Sequence, residues 1–551
     1  MGQHKHKTSS IPDGVFADPT VLVNSEASPL NVRSPQRRSG ILRLPPPPKV
    51  SEESLITSTP GAHSPGKTSS EVAFTIKGRR VRAWLTSVGL NLIPTSASWW
   101  TPWAHWYHPP DCIPFEEILS ACARNRPSML PCKALHQHLI VYTFKRQRRK
   151  RCEWKPCRIV LKSQDAEMVQ EWAMRINIVL RTESQRPTNL LVVLNPYGGA
   201  RKARKIWRKK AQPVFLLAGI KCTVVETQRA EHAKEIVTGL SLSELQSFDG
   251  FVAVGGDGLF QEILNGLLAI RGTGGQAGQV AAHLRLGHIP AGSTDAVAYS
   301  LNGCRSQYTA AVHIALGDRT PLDVMRIDMS SGEHRYAVCV ASYGYMGDLM
   351  RTSERLRFLG PVRYGLAGAW TLLRGAAYEA KVSYLPCDMM GGAQPRECRA
   401  ACNVCAPALP SRDVGDTAAF MTSSRKSLAQ DGWVHRQGRF KSIMAVVTCC
   451  RSDMSTRGLS PHGHLCDGRL HLLLVHATSR LHYLRFLASI PREGVRPGRF
   501  PFVEVVDCTA VHLLPEGMQS CWNADGELLP DNEVTMKVHR GLADVFARGI
   551  E

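Results

Sequence analysis

The sequence predicts a doubly wound α/β lobe followed by a second lobe of alternating, strand-like segments. A smaller β-rich domain and a disordered tail precede both. Three observations carry this reading. Between Asn189 and Asp295, apolar strands alternate with helical periodicity, and three strands run straight into Gly-rich turns. Residues 71–182 break into short strands closed by one amphipathic helix. Residues 1–70 are rich in Ser, Pro, Lys and Arg and show no sustained hydrophobic periodicity.

The chain has 551 residues, room for two to four domains each with its own core. Its formal net charge of +22 implies an anionic partner: nucleic acid, a membrane surface or a polyphosphate. Charge alone does not choose among them. The 17 cysteines are scattered, no secretory signal opens the sequence and no apolar run is long enough to span a bilayer. The expectation is a reduced, intracellular protein without structural disulfides.

Two motif matches in the tail are set aside. Gly61-Ala-His-Ser-Pro-Gly-Lys-Thr68 fits the Walker A pattern, but that motif needs a strand before it and a helix after it. Here Ser58-Thr-Pro60 precedes, a strand-like segment follows, and Pro65 removes an amide from the would-be cradle. Gly2 behind Met1 suggests myristoylation, yet His6 stands where Ser or Thr is wanted.

In residues 71–182 the expected strands are Val72–Ile76, Val81–Leu85, Leu139–Phe144 and Arg158–Leu161. The closing helix places Val169, Trp172, Ala173 and Ile176 on one face. Strands capped by one C-terminal helix bearing a central Trp resemble a pleckstrin homology domain, although an insertion around Trp99 to Pro114 blurs the strand count. Lys145-Arg-Gln-Arg-Arg-Lys-Arg151 packs six positive charges into seven residues between two strands. Near an anionic leaflet each contributes on the order of 1 kcal/mol, enough in sum for reversible membrane docking. A solvated hairpin tip and a nuclear-import signal explain the same run, and the three readings do not exclude one another.

The chemical core begins at Asn189–Leu194, a continuous apolar run of the parallel-sheet kind. It leads into Asn195-Pro196-Tyr197-Gly198-Gly199 and a strongly basic helix, Arg201 to Lys210. Strand Lys221–Glu226, a helix from about Glu231 and the strand at Phe251–Val254 complete the alternating units. Gly255, Gly256 and Gly258 then remove side chains from a tight turn, so backbone N–H groups can approach phosphates. Leu259, Ile263 and Leu267 recur at helical spacing, so this turn opens a helix whose N-terminus favours anions. Asp257 stands inside the cradle, where a carboxylate is costly unless it binds metal or moves a proton; the plain alternative is a capping Asp. A third strand ends in Pro290-Ala-Gly292-Ser293-Thr294 at the same sheet edge. Ligand is expected at the carboxyl ends of these strands.

Asn-Pro-x-Gly-Gly, Gly-Gly-Asp-Gly and Pro-Ala-Gly-Ser-Thr, in this order, resemble the diacylglycerol/sphingosine/ceramide lipid kinase family. The similarity continues through Tyr343-Gly-Tyr-Met-Gly-Asp348, Ser353-Glu354, Arg357, Arg363-Tyr364 and Trp522-Asn-Ala-Asp525-Gly526-Glu527, covering about residues 188–551. Within the family the resemblance is to the ceramide kinase branch. It rests on Cys398-Arg-Ala-Ala-Cys402-Asn-Val-Cys405, Arg457-Gly-Leu-Ser460, Phe502-Val-Glu504 and the ending Leu542 to Glu551. Thr227-Gln228 departs from the Thr-Glu that relatives often carry.

The resemblance implies a phosphofructokinase-like nucleotide-binding lobe at 188–319 and an antiparallel β-sandwich lipid-binding lobe at 320–551. Its C-terminal turn returns to the nucleotide, behind a pleckstrin-like membrane-targeting domain at 71–182 and the tail at 1–70. It implies ATP and Mg²⁺, and leaves calcium open as a regulator. The three turns, with Ser293 and Thr294, would cradle phosphates. Asn195, Thr227, Glu262, Arg357, Arg363 and Glu527 fall on the nucleotide side, and Asp348 on the lipid head-group side. A lipid hydroxyl is a poor nucleophile near neutral pH, so a carboxylate accepting its proton is expected. Asp257 is the candidate.

Cys398, Cys402 and Cys405 have the CxxxCxxC spacing that holds zinc or an iron–sulfur cluster, with Cys449, Cys450, Cys466, His462 and His464 as further donors. A reduced compartment favours simple structural or redox-sensitive thiols, and the spacing leaves both open. His232, His288 and His313 read as satisfied core histidines. Leu474, Leu481 and Leu487 with Arg480 and Arg485 show the anchor spacing of a calmodulin target, but a strand followed by an amphipathic helix explains them better.

The expected activity is transfer of the γ-phosphoryl group of ATP to the primary hydroxyl of ceramide. The expected partners are ceramide or a related lipid, an anionic membrane surface and, less directly, calmodulin, with no nucleic acid. The expected place is the cytoplasm in peripheral contact with a membrane, with nuclear entry open. A sphingosine, diacylglycerol or NAD kinase and a catalytically silent lipid-binding relative are the alternatives.

Overall fold

The computed structural model describes residues 71–95, 111–125, 137–182, 185–198, 201–356, 359, 362–387, 397–405 and 432–551. The tail with its two motif matches, Gly199 and Arg357 lie outside them. Among the described residues no helix is long and apolar enough to cross a membrane.

The N-terminal domain is a seven-stranded antiparallel sheet. Besides the expected strands it contains Gly89–Pro94, Cys112–Pro114 and Ile118–Asn125, which the insertion conceals in the sequence. Helix Ala166–Thr182 closes it, burying Val169, Trp172, Ala173, Ile176 and Leu180 at 3.6-residue spacing. Trp172 packs edge-on against Phe74, with ring centroids 5.2 Å apart.

The next four strands are parallel, in the spatial order Lys221–Glu226, Asn189–Leu194, Gly250–Gly255 and Arg285–Pro290. The inner strands Asn189–Leu194 and Gly250–Gly255 are apolar and buried on both faces because helices cover both. Helix Asp257–Gly272 packs Leu259, Ile263, Leu264 and Leu267 onto one side. The opposite side receives Trp207, Val214 and Phe215 from the basic helical segment and Ala311 and Ile314 from helix Gln307–Leu316. The chain reverses its winding direction between Asn189–Leu194 and Gly250–Gly255, so a crevice opens at their carboxyl ends.

The second lobe is antiparallel. Val434–Val446 and Val503–Glu516 each pair with both Tyr378–Pro386 and Leu470–His476, closing a circuit of hydrogen bonds around Tyr378, Val382, Phe440, Leu472 and Leu513. The two lobes share one strand. Val534–Phe546 runs antiparallel to Arg319–Met329, and its end adds in parallel beside Arg285–Pro290. The first lobe's sheet is therefore completed by the last strand of the sequence.

The N-terminal domain docks on the first lobe through its basic hairpin. Arg146 forks onto Glu551 at 2.5 and 2.7 Å and reaches Glu117 at 2.8 Å. Trp154 stacks on Phe144, lies against His313 and donates its Nε1–H to the Glu551 carboxylate at 3.3 Å. The tip of the hairpin, Arg148 to Arg151, stays exposed, while Arg146 at the end of its strand is part of an interdomain joint.

Candidate functional site

The three Gly-rich turns converge at the crevice. Asn195 Oδ1 accepts the N–H groups of Tyr197 and Gly198, both at 2.9 Å, which bends the first turn back on itself. The Asn195 N–H in turn reaches the Val254 carbonyl at 3.1 Å, and Ala291 N–H reaches the Gly255 carbonyl at 2.8 Å. The first and third turns are thus laced to the second by backbone. Gly256 and Gly292 meet where they cross, leaving no room for a Cβ between them. Ser293 and Thr294 stay exposed beyond this crossing, as does Tyr197. Thr227 is buried at the end of its strand, its N–H on the Leu194 carbonyl at 2.9 Å.

Asp257 opens helix Asp257–Gly272 but points at the start of another. Its two carboxylate oxygens accept the N–H groups of Ala296 and Val297, at 2.9 and 3.0 Å. Burial pushes its pKa up, against the pull of nearby His288 and these two amides. The capping role read from the sequence therefore takes a concrete form, across two turns and not within one. Each oxygen keeps a second lone pair for a further partner.

The Asp525-Gly526-Glu527 turn folds onto the same helix. The Asp525 carboxylate accepts N–H groups from Val338, Cys339 and Val340, at 2.7, 3.1 and 2.7 Å, and contacts the Gln261 amide. Burial raises its pKa to about 6, and the Asp257 charge pushes the same way. Glu527 lies over Gly258, 3.6 Å from where a Cβ would stand, and pairs with Arg335 at 3.0 Å. Glu262 accepts the Ala233 N–H at 3.0 Å. Glu231, Glu262 and Glu527, with Lys234, Gln261 and Arg335, line a cleft of about 390 Å³. Burial raises the pKa of both Glu262 and Glu527; Glu231 pushes both the same way, with Glu235 adding at Glu262 and Glu262 adding at Glu527.

Other expected residues lie elsewhere. Asp348 is held in the second lobe by Ser520 Oγ at 2.9 Å and by the Tyr378 hydroxyl. Arg363 pairs with Glu354 at 3.9 Å and covers the Tyr364 ring. Neither contact set includes the glycine turns. Leu474 is buried in strand Leu470–His476, whereas Leu481 is exposed on helix Arg480–Glu493, so the three leucines do not share one helical face. His288 bonds the Gly255 carbonyl at 3.1 Å, His232 accepts the Gln228 N–H at 3.0 Å, and His313 is buried against Trp154. The cysteine triplet gathers with His464: Cys398 and Cys405 sulfurs stand 3.7 Å apart, and Cys402 is 3.2 Å from His464 Nδ1.

Two supporting residues escape the sequence reading. Asp295 is fully buried in a left-handed conformation, holding the Gly292 N–H at 2.8 Å. Arg305 binds that carboxylate at 2.8 Å and the Gly292 carbonyl at 3.0 Å, which fixes the third turn. An acidic residue directly after a small-residue turn is a signal that could have found Asp295; a lone Arg ten positions on carries none.

The chain matches two family patterns, the diacylglycerol kinase catalytic domain over residues 189–327 and the ceramide kinase C-terminal domain over residues 340–521. It is 34% identical to a ceramide kinase of Homo sapiens over 451 residues, 75% of this chain and 82% of that one. With a ceramide kinase of Oryza sativa subsp. japonica it shares 31% identity over 519 residues, 75% of this chain and 85% of that one. A diacylglycerol kinase structure from Bacillus anthracis str. Sterne aligns over 65% of this chain and 96% of that one, with a TM-score of 0.42 and 15% identity. With both lobes matched in order, the chain belongs to the ceramide kinase family of lipid kinases.

Proposed function

We propose that the protein phosphorylates the primary hydroxyl of ceramide with ATP, giving ceramide 1-phosphate. The observation that carries this reading is the 34% identity to a ceramide kinase across both lobes. The meeting of three glycine turns at one crevice agrees with it. A cradle that has no room for a Cβ at Gly255 or Gly292, with exposed hydroxyls at its rim, fits nucleotide phosphates. Carboxylates whose burial disfavours their charge fit a divalent cation. Glu262 and Glu527 are its candidate holders, and Mg²⁺ bound there would neutralise charge on the phosphates.

In the transfer the ceramide hydroxyl oxygen bonds to the γ-phosphorus, the bond to the β–γ bridging oxygen breaks, and ADP leaves. Asp257 takes the hydroxyl proton; its raised pKa makes it a stronger base than an exposed carboxylate. Gly256, Gly258, Ser293 and Thr294 hold phosphates through backbone donors and hydroxyls, while Asn195, Gly198, Gly255 and Gly292 shape the turns that present them. Asp348 serves the lipid head group from the second lobe, whose β-sandwich would carry the acyl chains.

We also assign the N-terminal domain as a pleckstrin homology module and the protein as a peripheral membrane visitor. Helix Val362–Arg374 leaves Val362, Leu366, Trp370 and Leu373 exposed at helical spacing, a stripe suited to a leaflet surface. Arg148, Arg149 and Arg151 remain exposed on the basic hairpin.

The test is label transfer from ATP in the presence of Mg²⁺ and, separately, ceramide, sphingosine, diacylglycerol or NAD. Labelled ceramide is the expected product. Label on another acceptor, or on none, overturns the assignment.

A further inference from the structure

Cys398, Cys402 and Cys405 lie on a segment of the second lobe, and His464 on the loop that leads into strand Leu470–His476. One ligand atom from each of these four residues falls within 4.8 Å of every other. Cys398, Cys405 and His464 are buried, and Cys402 is partly so. We propose that these four side chains form a closed, structural zinc site.

The geometry fits. With Zn–S near 2.3 Å and Zn–N near 2.0 Å, a tetrahedron places two sulfurs about 3.8 Å apart and a sulfur and nitrogen about 3.5 Å apart. The Cys398–Cys405 and Cys402–His464 separations are 3.7 and 3.2 Å. A disulfide requires about 2.05 Å between sulfurs, and it would leave Cys402 and His464 with no role. Three thiols and an imidazole are soft donors that select zinc over the hard cations a kinase uses for phosphates. Backbone amides complete the site: Leu465 N–H serves the Cys398 sulfur and Cys466 N–H serves Cys405, as expected around thiolates that carry charge. Four protein donors leave no open position, which marks a structural centre and not a catalytic one.

Its place explains what it would hold. The Ala400 N–H donates to the Ile550 carbonyl at 2.7 Å, and Arg540 donates to the Val404 carbonyl at 3.2 Å. The cluster thus pins the cysteine segment and the His464 loop against the strand that completes the first lobe's sheet. Zinc would lock the two lobes' shared strand in register beside the crevice.

The experiment uses the full chain, purified without added metal or metal-affinity resin. About one zinc per chain is expected by elemental analysis. Exchange into Co²⁺ should give the visible absorption of a tetrahedral thiolate–imidazole centre. His464→Cys should keep the metal and shift that absorption, whereas His464→Asn should weaken Co²⁺ binding at least tenfold. Cys466→Ser, beside the cluster but outside it, should leave metal content unchanged. Chelation of the wild-type protein should release the zinc and lower its melting temperature, which keeps the test informative where a variant fails to fold. No stoichiometric metal, iron in place of zinc, a Cys398–Cys405 disulfide, or a Co²⁺ spectrum indifferent to both His464 changes would each overturn the proposal.

Discussion

Gly256 and Gly292 stand back to back: a Cβ on Gly292 would lie 2.5 Å from the Gly256 Cα and 2.7 Å from Asp295 Oδ1. The contact joins the turns that follow strands Gly250–Gly255 and Arg285–Pro290, so the cradle's shape depends on both residues lacking a side chain. Neither obstacle is the mobile end of a long side chain. Gly292→Ala is expected to force the turns apart, costing about 1–3 kcal/mol of stability and at least about tenfold in ATP affinity, equivalent to 1.4 kcal/mol. Gly256→Ala meets its nearest neighbour at 3.2 Å and should be milder. Calorimetric titration with ATP and thermal unfolding check the order; equal ATP affinities in both variants and wild type would exclude a phosphate cradle here.

The basic hairpin divides into two kinds of charge. Arg146 is tied to Glu551 and Glu117, while Arg148, Arg149 and Arg151 are exposed. Arg146→Ala should therefore lower stability by about 1 kcal/mol, within the upper range for partly exposed pairs. Replacing Arg148, Arg149 and Arg151 by Ser should leave the melting temperature unchanged and weaken sedimentation with anionic vesicles. That loss should shrink as salt rises, because exposed charges are screened beyond about 8 Å at physiological ionic strength. Trp370→Asp should weaken vesicle binding without this salt dependence. Vesicle binding that neither change affects would remove both membrane surfaces from consideration.

The strand-turn-helix corners are legible in the sequence because each combines several local signals. At Gly250–Gly272 these are a β-branched run, glycines and then apolar residues at helical spacing, and all lie within one stretch. The Arg146–Glu551 joint is not legible, since 405 positions separate its partners and either residue alone looks like surface charge. His464 is an intermediate case: it stands among several candidate donors in the sequence, and only folding brings it and not His462 to the cysteine triplet. The Glu231–Arg335–Glu527 bridge is hidden for the same reason as the hairpin joint, because its three members come from a loop of the first lobe and from strand His334–Ala337 and the Asp525–Glu527 turn of the second. Local chemistry can be read residue by residue, whereas long-range pairing depends on which faces meet.

Asp525 gives stability a pH dependence. An unfolded aspartate titrates near 3.9, and burial raises this one to about 6, so between these values the folded protein holds the extra proton. Stability contributed by the protonated side chain is present at pH 4 and lost as pH rises through about 6. Asp525→Asn removes that loss. Relative to wild type, the variant should gain about 1 kcal/mol between pH 5 and pH 7.5, whatever constant penalty it carries from its altered hydrogen bonds to Val338 and Val340. Urea unfolding at the two pH values measures it, and a difference that stays flat would mean that Asp525 is ionised throughout.

Asp257 carries the strongest chemical claim and also a structural duty, and the two can be separated. Its oxygens hold the first amides of helix Ala296–Asn302, directly behind the Ser293–Thr294 rim. Asn in its place keeps the size but turns one acceptor into a donor that faces an N–H, leaving that amide unsatisfied at a cost of about 1–3 kcal/mol. Asp257→Asn should therefore melt earlier than wild type while remaining folded. It also cannot take the ceramide proton, and general-base assistance is worth about 10²–10⁴ in rate. We expect kcat to fall at least about a hundredfold, with ATP affinity changed much less, because the amides at Gly256 and Gly258 and the Ser293 and Thr294 hydroxyls hold the phosphates. The discriminating measurement is kcat at saturating ATP and ceramide, set beside ATP affinity by titration. If the variant kept more than about a tenth of wild-type turnover with normal ATP binding, Asp257 would be a cap and not the base. If ATP affinity and turnover fell together, its duty to the third turn would account for the loss, and the base would be sought next at Asp348, where Ser520 and Tyr378 already orient a second carboxylate.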